Sequence, residues 1–476
     1  MGEIIREKLS FKIRFGYGIG QMVDSLPYNF LSVYAMFFLT NVAGVPVAIA
    51  GTIGMIAILW DAVTDPAVGF LSDNCSSKYG RRRPFMIVSL VPFCLMTVLS
   101  FTYIDFGPVG TCIYFIIVAL IYRTCYTAFV IPYFSLGAEI TQDYDERVKL
   151  QCISAYFAYF AVWFCTAGPM AVLSWTLGKG ISYRDGWIIS AIFLALCMLV
   201  CGLISWNSLR GREMVNKRDD ILEKNATKGI KEIFKTYIDL LKDKICIYVI
   251  LLRLAYTFSG AVSSAAFVYL MSVNLELSEA QQSLYWTLYS AIYIVDVFIC
   301  NYISDKTDKR FILGASVVLC IIASTFFYFH NVNSFTELII MTALISFSGA
   351  SFWSVGATML YDYNEVVEFK TGKRQEGAVS GVIIFATKVG GAISYWLSGL
   401  ILAAIGYDGT ATVFSASVKH GILALNTIVP AGISVVILIF IIIYPITRKN
   451  FALLRQALEL KNAGKEYSTE GFERLL

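Results

Sequence analysis

Two aspartates lie in the middle of a long apolar segment, where they could bind a cation. The sequence Trp60-Asp61-Ala-Val-Thr64-Asp65-Pro66 falls within an apolar run from about 47 to 72. At 1.5 Å per residue, Asp61 lies about 20 Å along a helix that begins at residue 47. Asp61 and Asp65 are four residues apart, so they share one helix face and repel each other. One aspartate at the centre of a bilayer costs at least about 2.5–3.5 kcal/mol, so the pair predicts a compensating cation or a water-filled cavity. Such oxygen-rich sites suit hard cations.

A lysine far along the chain could supply part of the missing positive charge. Lys388 lies deep in another apolar run, in Phe385-Ala-Thr-Lys388-Val-Gly-Gly391. Two aspartates and one lysine leave a net charge of −1, which one monovalent cation would neutralise. This balance predicts one-to-one coupling to an ion. The alternative is a static bridge between Asp61 and Lys388, with Asp65 protonated.

Three further residues, Asp24, Arg123 and Trp353, could contact a ligand or simply stabilise the fold. Asp24 is either a partner of the kink at Pro27 or a hydrogen-bond acceptor for a polyhydroxylated ligand. Arg123 lies one turn before Thr127 and could bind an anionic group of a substrate, or pair with Asp24 or Asp65. Trp353 could stack on a sugar ring or pack within the protein. Arg253 follows the start of its apolar run by only a few turns, so we expect its head group to extend to the membrane surface.

Composition and the apolar runs predict the elements that carry these residues. Of the 476 residues, 57% are hydrophobic and 15% are charged, against about 45–50% and 25% in soluble proteins. With two histidines, a net charge of +4 and no visible nucleophile or metal motif, neither an enzyme nor a nucleic-acid-binding protein is expected. A spanning helix needs about 20 apolar residues. We predict an all-α membrane protein with twelve transmembrane helices near 15–40, 47–72, 84–104, 109–138, 150–175, 185–208, 246–273, 279–303, 311–331, 336–361, 377–406 and 420–446.

The positive charges predict the orientation and the division of the chain. Of 38 Lys and Arg residues, 32 fall in the N-terminus, the even-numbered loops and the tail, which predicts a multi-pass protein of the cell (inner) membrane with both termini cytoplasmic. We expect a six-helix bundle in 1–209, a cytoplasmic linker with an amphipathic helix in 210–245, a second six-helix bundle in 246–447 and a cytoplasmic tail in 448–476.

The second and eighth spans end alike, which indicates an internal duplication. Gly69-Phe-Leu-Ser-Asp73 leads to a basic cluster that includes Arg81, and Asn301-Tyr-Ile-Ser-Asp305 leads to one that includes Arg310. Two six-helix bundles with a site between them near the membrane centre are a recurrent transporter design. We expect these acids and basic clusters to form gating bridges at the inner face that hold an outward-open state.

The chain resembles the glycoside–pentoside–hexuronide:cation symporters of the major facilitator superfamily over essentially all twelve spans. The most specific matches are Trp60 to Pro66, Tyr126-Thr127 through Leu136, Phe352-Trp353, and Asp362 through Glu376 to Gly391. The resemblance implies the major facilitator fold in two bundles and cation-coupled sugar symport by alternating access.

The resemblance also implies roles for particular residues. It assigns the cation, Na+ or H+, to Asp61, Asp65 and Thr127, and the sugar to Asp24, Trp353 and Lys388. To these predicted groups we add Thr64 for the cation, and Arg123 and Tyr126 for the substrate. The cation group is Asp61, Thr64, Asp65 and Thr127; the substrate group is Asp24, Arg123, Tyr126, Trp353 and Lys388. No other cofactor is implied, and the partners expected are a small glycoside, a monovalent cation and the bilayer, with a monomeric protein.

Three departures from the family pattern affect specificity. Thr64 stands where sodium-using members often have Asn, which leaves Na+ or H+ open. Val130 and Ala155 replace an Asp and an Arg that hold galactosides. Losing that carboxylate while gaining Arg123 favours an anionic glycoside such as a hexuronide. The alternatives are a cation-coupled carrier of a lysolipid or other amphiphile and, more remotely, a membrane sensor or channel.

Overall fold

The computed structural model describes residues 8–75, 77, 79–141, 143–211, 239–304, 306–356, 358–372 and 376–475. Regular secondary structure in these residues is helical throughout, without strands. The helices are α1 (Phe11–Phe37), α2 (Val47–Asp73), α3 (Arg83–Leu99), α4 (Gly107–Glu139), α5 (Tyr144–Gly178), α6 (Tyr183–Ser208), α7 (Lys244–Tyr269), α8 (Glu279–Ser304), α9 (Lys309–His330), α10 (Phe335–Ser351), α11 (Thr358–Thr371), α12 (Glu376–Ala404), α13 (Ala416–Asn426), α14 (Ile428–Ile443) and α15 (Arg448–Asn462).

The helices coincide with the predicted spans. The tenth span corresponds to α10 and α11, and the twelfth to α13 and α14. Within the described residues, ten helical segments are long and apolar enough to cross a membrane, and α3 is a shorter apolar helix. The amphipathic helix predicted in the linker lies almost wholly outside the described residues.

Side-chain caps define where several of these helices begin. The first turn of a helix leaves backbone N–H groups without helical partners, and Asp or Ser side chains can accept their hydrogen bonds. Asp143 accepts from Glu146 N at the start of α5, and Ser182 accepts from Asp185 N at the start of α6. The start of α9 is capped in the same way by Asp308. Each of these caps fixes the residue at which its helix begins.

Three helices continue into a short π-helical turn. Phe38–Val42 extends α1, Leu270–Asn274 extends α7, and Phe352–Gly356 follows α10. A π turn inserts a residue into the helical ladder and reorients the side chains beside it, and such turns are frequent at functional sites. The third of these turns contains Trp353.

Two compact units make up the structure. The first comprises Met1–Lys217, Phe267–Thr287 and Tyr395–Val418, and the second comprises Arg218–Ala266, Leu288–Ser394 and Lys419–Leu476. Two segments of the predicted second half therefore pack with the first half. The predicted bundle boundaries themselves stay a prediction.

Glycines allow an unusually close approach of two helices in the first unit. A Cβ atom built on Gly399 of α12 would lie 2.7 Å from the Val47 carbonyl oxygen and 2.9 Å from Gly51 Cα of α2. Side chains at either glycine would force the backbones apart. Thr40 Oγ1 and the Tyr269 hydroxyl lie 2.8 Å apart, which joins the π turn after α1 to the end of α7.

Candidate functional site

A ladder of polar contacts joins α2 to α4 in the first unit. Arg123 Nη1 donates to Asp61 Oδ2 over 3.2 Å, and Thr127 Oγ1 donates to Asp65 Oδ1 over 3.0 Å. Both pairs advance by four residues in the same direction, so α2 and α4 run parallel here. A third contact, 3.0 Å from Trp60 Nε1 to Thr124 Oγ1, lies in the same register. The four-residue spacing of the aspartates is thus matched by a four-residue spacing of their partners.

The predicted cation-binding residues come together in this ladder. Thr64 Oγ1 lies 3.2 Å from Thr127 Oγ1, so its hydroxyl joins the contact between Thr127 and Asp65. Asp61 is 2% exposed and Thr127 is 1% exposed, whereas Asp65 is half-buried. The cluster therefore offers carboxylate and hydroxyl oxygens, with one carboxylate accessible and the other enclosed.

Arg123 balances one of the two negative charges. Its contact with Asp61 is an ion pair in which the two side chains are 13% and 3% exposed. The sequence analysis named Asp24 and Asp65 as its possible acidic partners, and the structure gives Asp61 instead. Asp61, Asp65 and Arg123 together carry a formal charge of −1.

Asp24 forms a second polar cluster beside the ladder. The Tyr126 hydroxyl donates to Asp24 Oδ1 over 2.7 Å, and Gln21 Nε2 donates to Asp24 Oδ2 over 2.7 Å. Tyr28, one turn further along α1, packs against Tyr126 and lies under the Arg123 guanidinium, 5.8 Å from ring centroid to Cζ. Asp24 therefore accepts hydrogen bonds from two side chains, in addition to lying near the kink at Pro27.

A crevice opens beside these residues in the first unit. Its polar groups come from Tyr28, Ser32, Ser100, Tyr122, Arg123 and Tyr395, and most other lining side chains are small or aliphatic. Aromatic hydroxyls and a cation on an otherwise apolar wall are the usual surroundings of a small organic ligand. The crevice lies next to Asp61 through Arg123.

The other two predicted substrate residues lie in the second unit. Trp353 is 53% exposed in the π turn after α10, and Lys388 lies on α12. Arg253 of α7 is close to this tryptophan, with its guanidinium carbon 4.7 Å from the Trp353 ring centroid. The sequence analysis expected Arg253 to extend to the membrane surface, whereas the structure places it over aromatic rings.

The first basic cluster forms ion pairs with the ends of α2 and α4. Asp73 pairs with Arg82 at 3.0 Å, and Glu139 Oε1 accepts from Arg81 Nη2 at 2.7 Å and Arg82 Nε at 2.8 Å. Arg83 donates two hydrogen bonds to the Trp206 carbonyl oxygen. Asp73 and Arg81 are thus fixed by ion pairs within the first unit, but to different partners.

The second basic cluster forms corresponding contacts in the second unit. Lys309 Nζ pairs with Asp362 at 2.8 Å, and Arg310 Nη1 donates to the Tyr444 carbonyl oxygen at 2.8 Å. Asp305 lies outside the described residues. The gating role assigned to Asp73, Arg81, Asp305 and Arg310 stays a prediction.

Sequence reasoning did not single out several contact residues that the structure shows. Glu139, Asp362 and Thr124 are partners of predicted residues, and Gln21 supports Asp24. Gln21 could have been found, because it lies one turn before Asp24 on the same helix. The other three depend on which helices are neighbours, which the local sequence pattern does not contain.

Comparisons with known proteins identify the family of this chain. A family model described as "MFS/sugar transport protein" matches residues 16–448. The chain is 25% identical to the isoprimeverose transporter of Lactiplantibacillus pentosus over 94% of this chain and 92% of that protein. It is also 25% identical to the glucuronide carrier protein homolog of Escherichia coli, over 94% and 95% of the two chains.

Solved structures support the same fold. The inward-open structure of the xylose transporter XylE from Escherichia coli has a TM-score of 0.62 at 14% identity, covering 96% of this chain and all of that chain. At such low identity the likeness shows the fold alone. The family match and the ten described helical segments that are long and apolar enough to cross a membrane show a multi-pass membrane transporter, and the likeness to XylE supports the major facilitator fold. The chain belongs to the MFS/sugar transport protein family.

Proposed function

We propose that the protein carries a glycoside-type sugar across the membrane together with one monovalent cation, Na+ or H+, by alternating access. The relatives support a sugar, since one is named an isoprimeverose transporter and another a putative glycoside/cation symporter. A hexuronide is the form of sugar we favour, in keeping with the relative named as a glucuronide carrier homolog. The observation that carries the proposal is the α2–α4 ladder.

The ladder has the composition that a cation site requires. Asp61 and Asp65 supply carboxylates, and Thr64 and Thr127 supply hydroxyl oxygens within 3.2 Å of one another. Hard monovalent and divalent cations prefer such oxygen ligands. Arg123 pairs with Asp61, so we place the cation on the side of Asp65 and its two hydroxyl neighbours.

Consecutive residues of α4 connect this cation site to the Asp24 cluster. Thr127 contacts Asp65, and its neighbour Tyr126 contacts Asp24. A cation bound by Asp65 would hold α4 in one position and with it the Tyr126 hydroxyl. The affinity for a sugar that binds Asp24 would then rise with cation occupancy, and the linkage requires the reverse effect to be equal.

Uptake into vesicles tests the proposal. The purified protein is reconstituted and sugar uptake is measured under separately imposed Na+ and H+ gradients, for the wild type and Asp65→Asn. We expect wild-type accumulation with one gradient, and loss of accumulation but retention of sugar exchange in Asp65→Asn. Asp145→Asn, at an exposed position in the first turn of α5, is the matched control and should accumulate sugar normally. Gradient-driven accumulation by Asp65→Asn would contradict the assignment of the cation site.

The orientation and the assembly state form part of the same proposal. We place both termini and the basic clusters at the cytoplasmic face, following the distribution of Lys and Arg. Alternating access requires only one chain, so we propose a monomer as the transport unit. Accessibility of cysteines introduced near the termini, measured in intact cells, tests the orientation.

A further inference from the structure

We infer that Arg253 is the receptor for an anionic group of the transported sugar, and that Trp353 supports the sugar ring beside it. This inference rests on the proposed function and names the substrate class: a glycoside that carries a carboxylate. The residues that carry it all belong to the second unit.

The guanidinium of Arg253 lies over two aromatic rings. Its guanidinium carbon is 4.7 Å from the Trp353 ring centroid and 5.5 Å from the Phe352 ring centroid. Tyr256 stacks on Phe352 with ring centroids 3.7 Å apart and an angle of 14°. Arg253 and Tyr256 are three residues apart on α7, so both project from one face of that helix. The π turn after α10 supplies the opposing rings.

The charge of Arg253 has no acidic partner in the described part of the chain. No described carboxylate lies within ion-pair distance of its guanidinium, and its buried Nε has no hydrogen-bond partner among these residues. A guanidinium has five N–H donors, and an aromatic face compensates only part of its lost hydration. An arginine within a membrane span is costly unless its charge is met. Among the described residues, the Arg253 guanidinium therefore lacks an anionic acceptor.

Arg123, by contrast, has an acidic partner within the protein. It lies in an ion pair with Asp61, at 3.2 Å. The sequence analysis considered Arg123 as a receptor for a substrate anion, but in the structure it already has a carboxylate. Arg253 is the arginine in a span that is placed to accept a carboxylate from outside the chain.

Apolar and aromatic side chains surround Arg253, and one of the aromatic rings is accessible. A narrow apolar crevice adjoins the guanidinium, lined by Val249, Leu252, Phe352, Gly356, Met359 and Ile383. Trp353 keeps about half of its surface exposed, which leaves an aromatic surface for the C–H groups of a pyranose ring. A guanidinium binds a carboxylate through two parallel hydrogen bonds, which fixes the orientation of the ligand.

Two sugars that differ only in their charge test this inference. Methyl β-D-glucuronide and methyl β-D-glucoside are compared by uptake in proteoliposomes containing the full-length wild type, Arg253→Gln or Arg253→Lys. We expect Arg253→Gln to raise the half-saturation concentration for the glucuronide about 10- to 100-fold, while that for the glucoside changes less than about threefold. Arg253→Lys keeps the charge but not the paired donors, so its value should fall between those of the wild type and Arg253→Gln.

Arg184→Gln is the matched control. Its guanidinium also lies over an aromatic ring, 4.2 Å from the Tyr103 centroid, but in the first unit. Preference for the glucuronide in Arg184→Gln should equal that of the wild type. Arg253→Lys also keeps the test decisive if Arg253→Gln does not fold.

The possible outcomes separate this inference from the proposed function. An unchanged glucuronide preference in Arg253→Gln, an equal loss for both sugars, or a wild type without preference would overturn the role of Arg253 and leave sugar symport intact. Gradient-driven uptake of neither sugar by a folded wild type would instead contradict the proposed function for this class of substrate, and the inference with it.

Discussion

The ion pair between Arg123 and Asp61 predicts a large loss of stability when only one partner is removed. Arg123→Leu leaves the Asp61 carboxylate, whose side chain is 3% exposed, without the guanidinium that lies 3.2 Å away. Breaking a buried pair in this way costs about 3–5 kcal/mol, because the buried Asp61 carboxylate loses the attraction of Arg123. Asp61→Asn removes the opposite charge and should also be destabilising, since it leaves Arg123 buried without its acid.

The double variant provides the decisive comparison. Arg123→Leu combined with Asp61→Asn removes both charges, so the desolvation penalty disappears with the attraction. We expect the double variant to be about 2–3 kcal/mol more stable than the sum of the two single losses implies, which is the range of coupling for residues in contact. Replacing a buried pair by neutral groups is often almost neutral for stability.

Unfolding of the purified protein in detergent measures these differences. Denaturant titrations of the wild type, both single variants and the double variant complete a double-mutant cycle. Arg455→Leu, at an exposed position on α15, is the control and should change the unfolding free energy by less than about 0.5 kcal/mol. Additive losses in the double variant, with no coupling energy, would show that Arg123 does not neutralise Asp61.

Three further predictions test the packing and the polar contacts. Gly399→Ala places a Cβ 2.7 Å from the Val47 carbonyl oxygen and should destabilise the protein by about 1–3 kcal/mol in thermal unfolding, whereas Gly260→Ala, with no atom within 4 Å, should not. Thr127→Val removes the hydroxyl that contacts Asp65 and should raise the cation concentration for half-maximal uptake about tenfold, with little change in unfolding temperature. Glu139→Gln removes the carboxylate that two arginines share and should lower the free energy of unfolding by about 1–2 kcal/mol. The difference from the wild type should be smaller at high salt, because salt screens the same ion pairs in the wild type.

The spans could be predicted from sequence because their signal is local. An apolar run of about 20 residues requires a helix in a bilayer whatever its neighbours are. The shared helix face of Asp61 and Asp65 could be predicted in the same way, because residues four apart lie on one face of a helix. Their hydroxyl partner Thr127 came from the family resemblance.

Neighbours across helices could not be predicted in the same way. The partner of Arg123 depends on the register between α2 and α4, and a shift of one turn would bring Arg123 to Asp65 instead of Asp61. Periodicity specifies faces but not this shift. The π turns are also invisible to the apolar pattern, so the position of Trp353 beside Arg253 could only come from the structure.

Local features in the two predicted halves support the duplication. The first helix of each half ends in a π turn, Phe38–Val42 after α1 and Leu270–Asn274 after α7. Each basic cluster also pairs with an acid on a later helix, Glu139 for Arg81 and Asp362 for Lys309. Basic residues collect in cytoplasmic loops with or without a duplication. That tendency does not explain why the two halves also share π turns and ion pairs at corresponding places.

The two deep arginines carry the same charge but stand in opposite relations to the protein. Arg123 is paired with Asp61, an acid of its own chain. Arg253 has aromatic neighbours and, among the described residues, no acid, so its charge can be completed by a ligand. A carrier of an anionic sugar and a cation needs both conditions: a protein site that is negative until the cation binds, and another that is positive until the sugar binds. Each ligand then removes a charge that would oppose movement of the occupied site through the membrane, which gives a physical reason for the two to travel together.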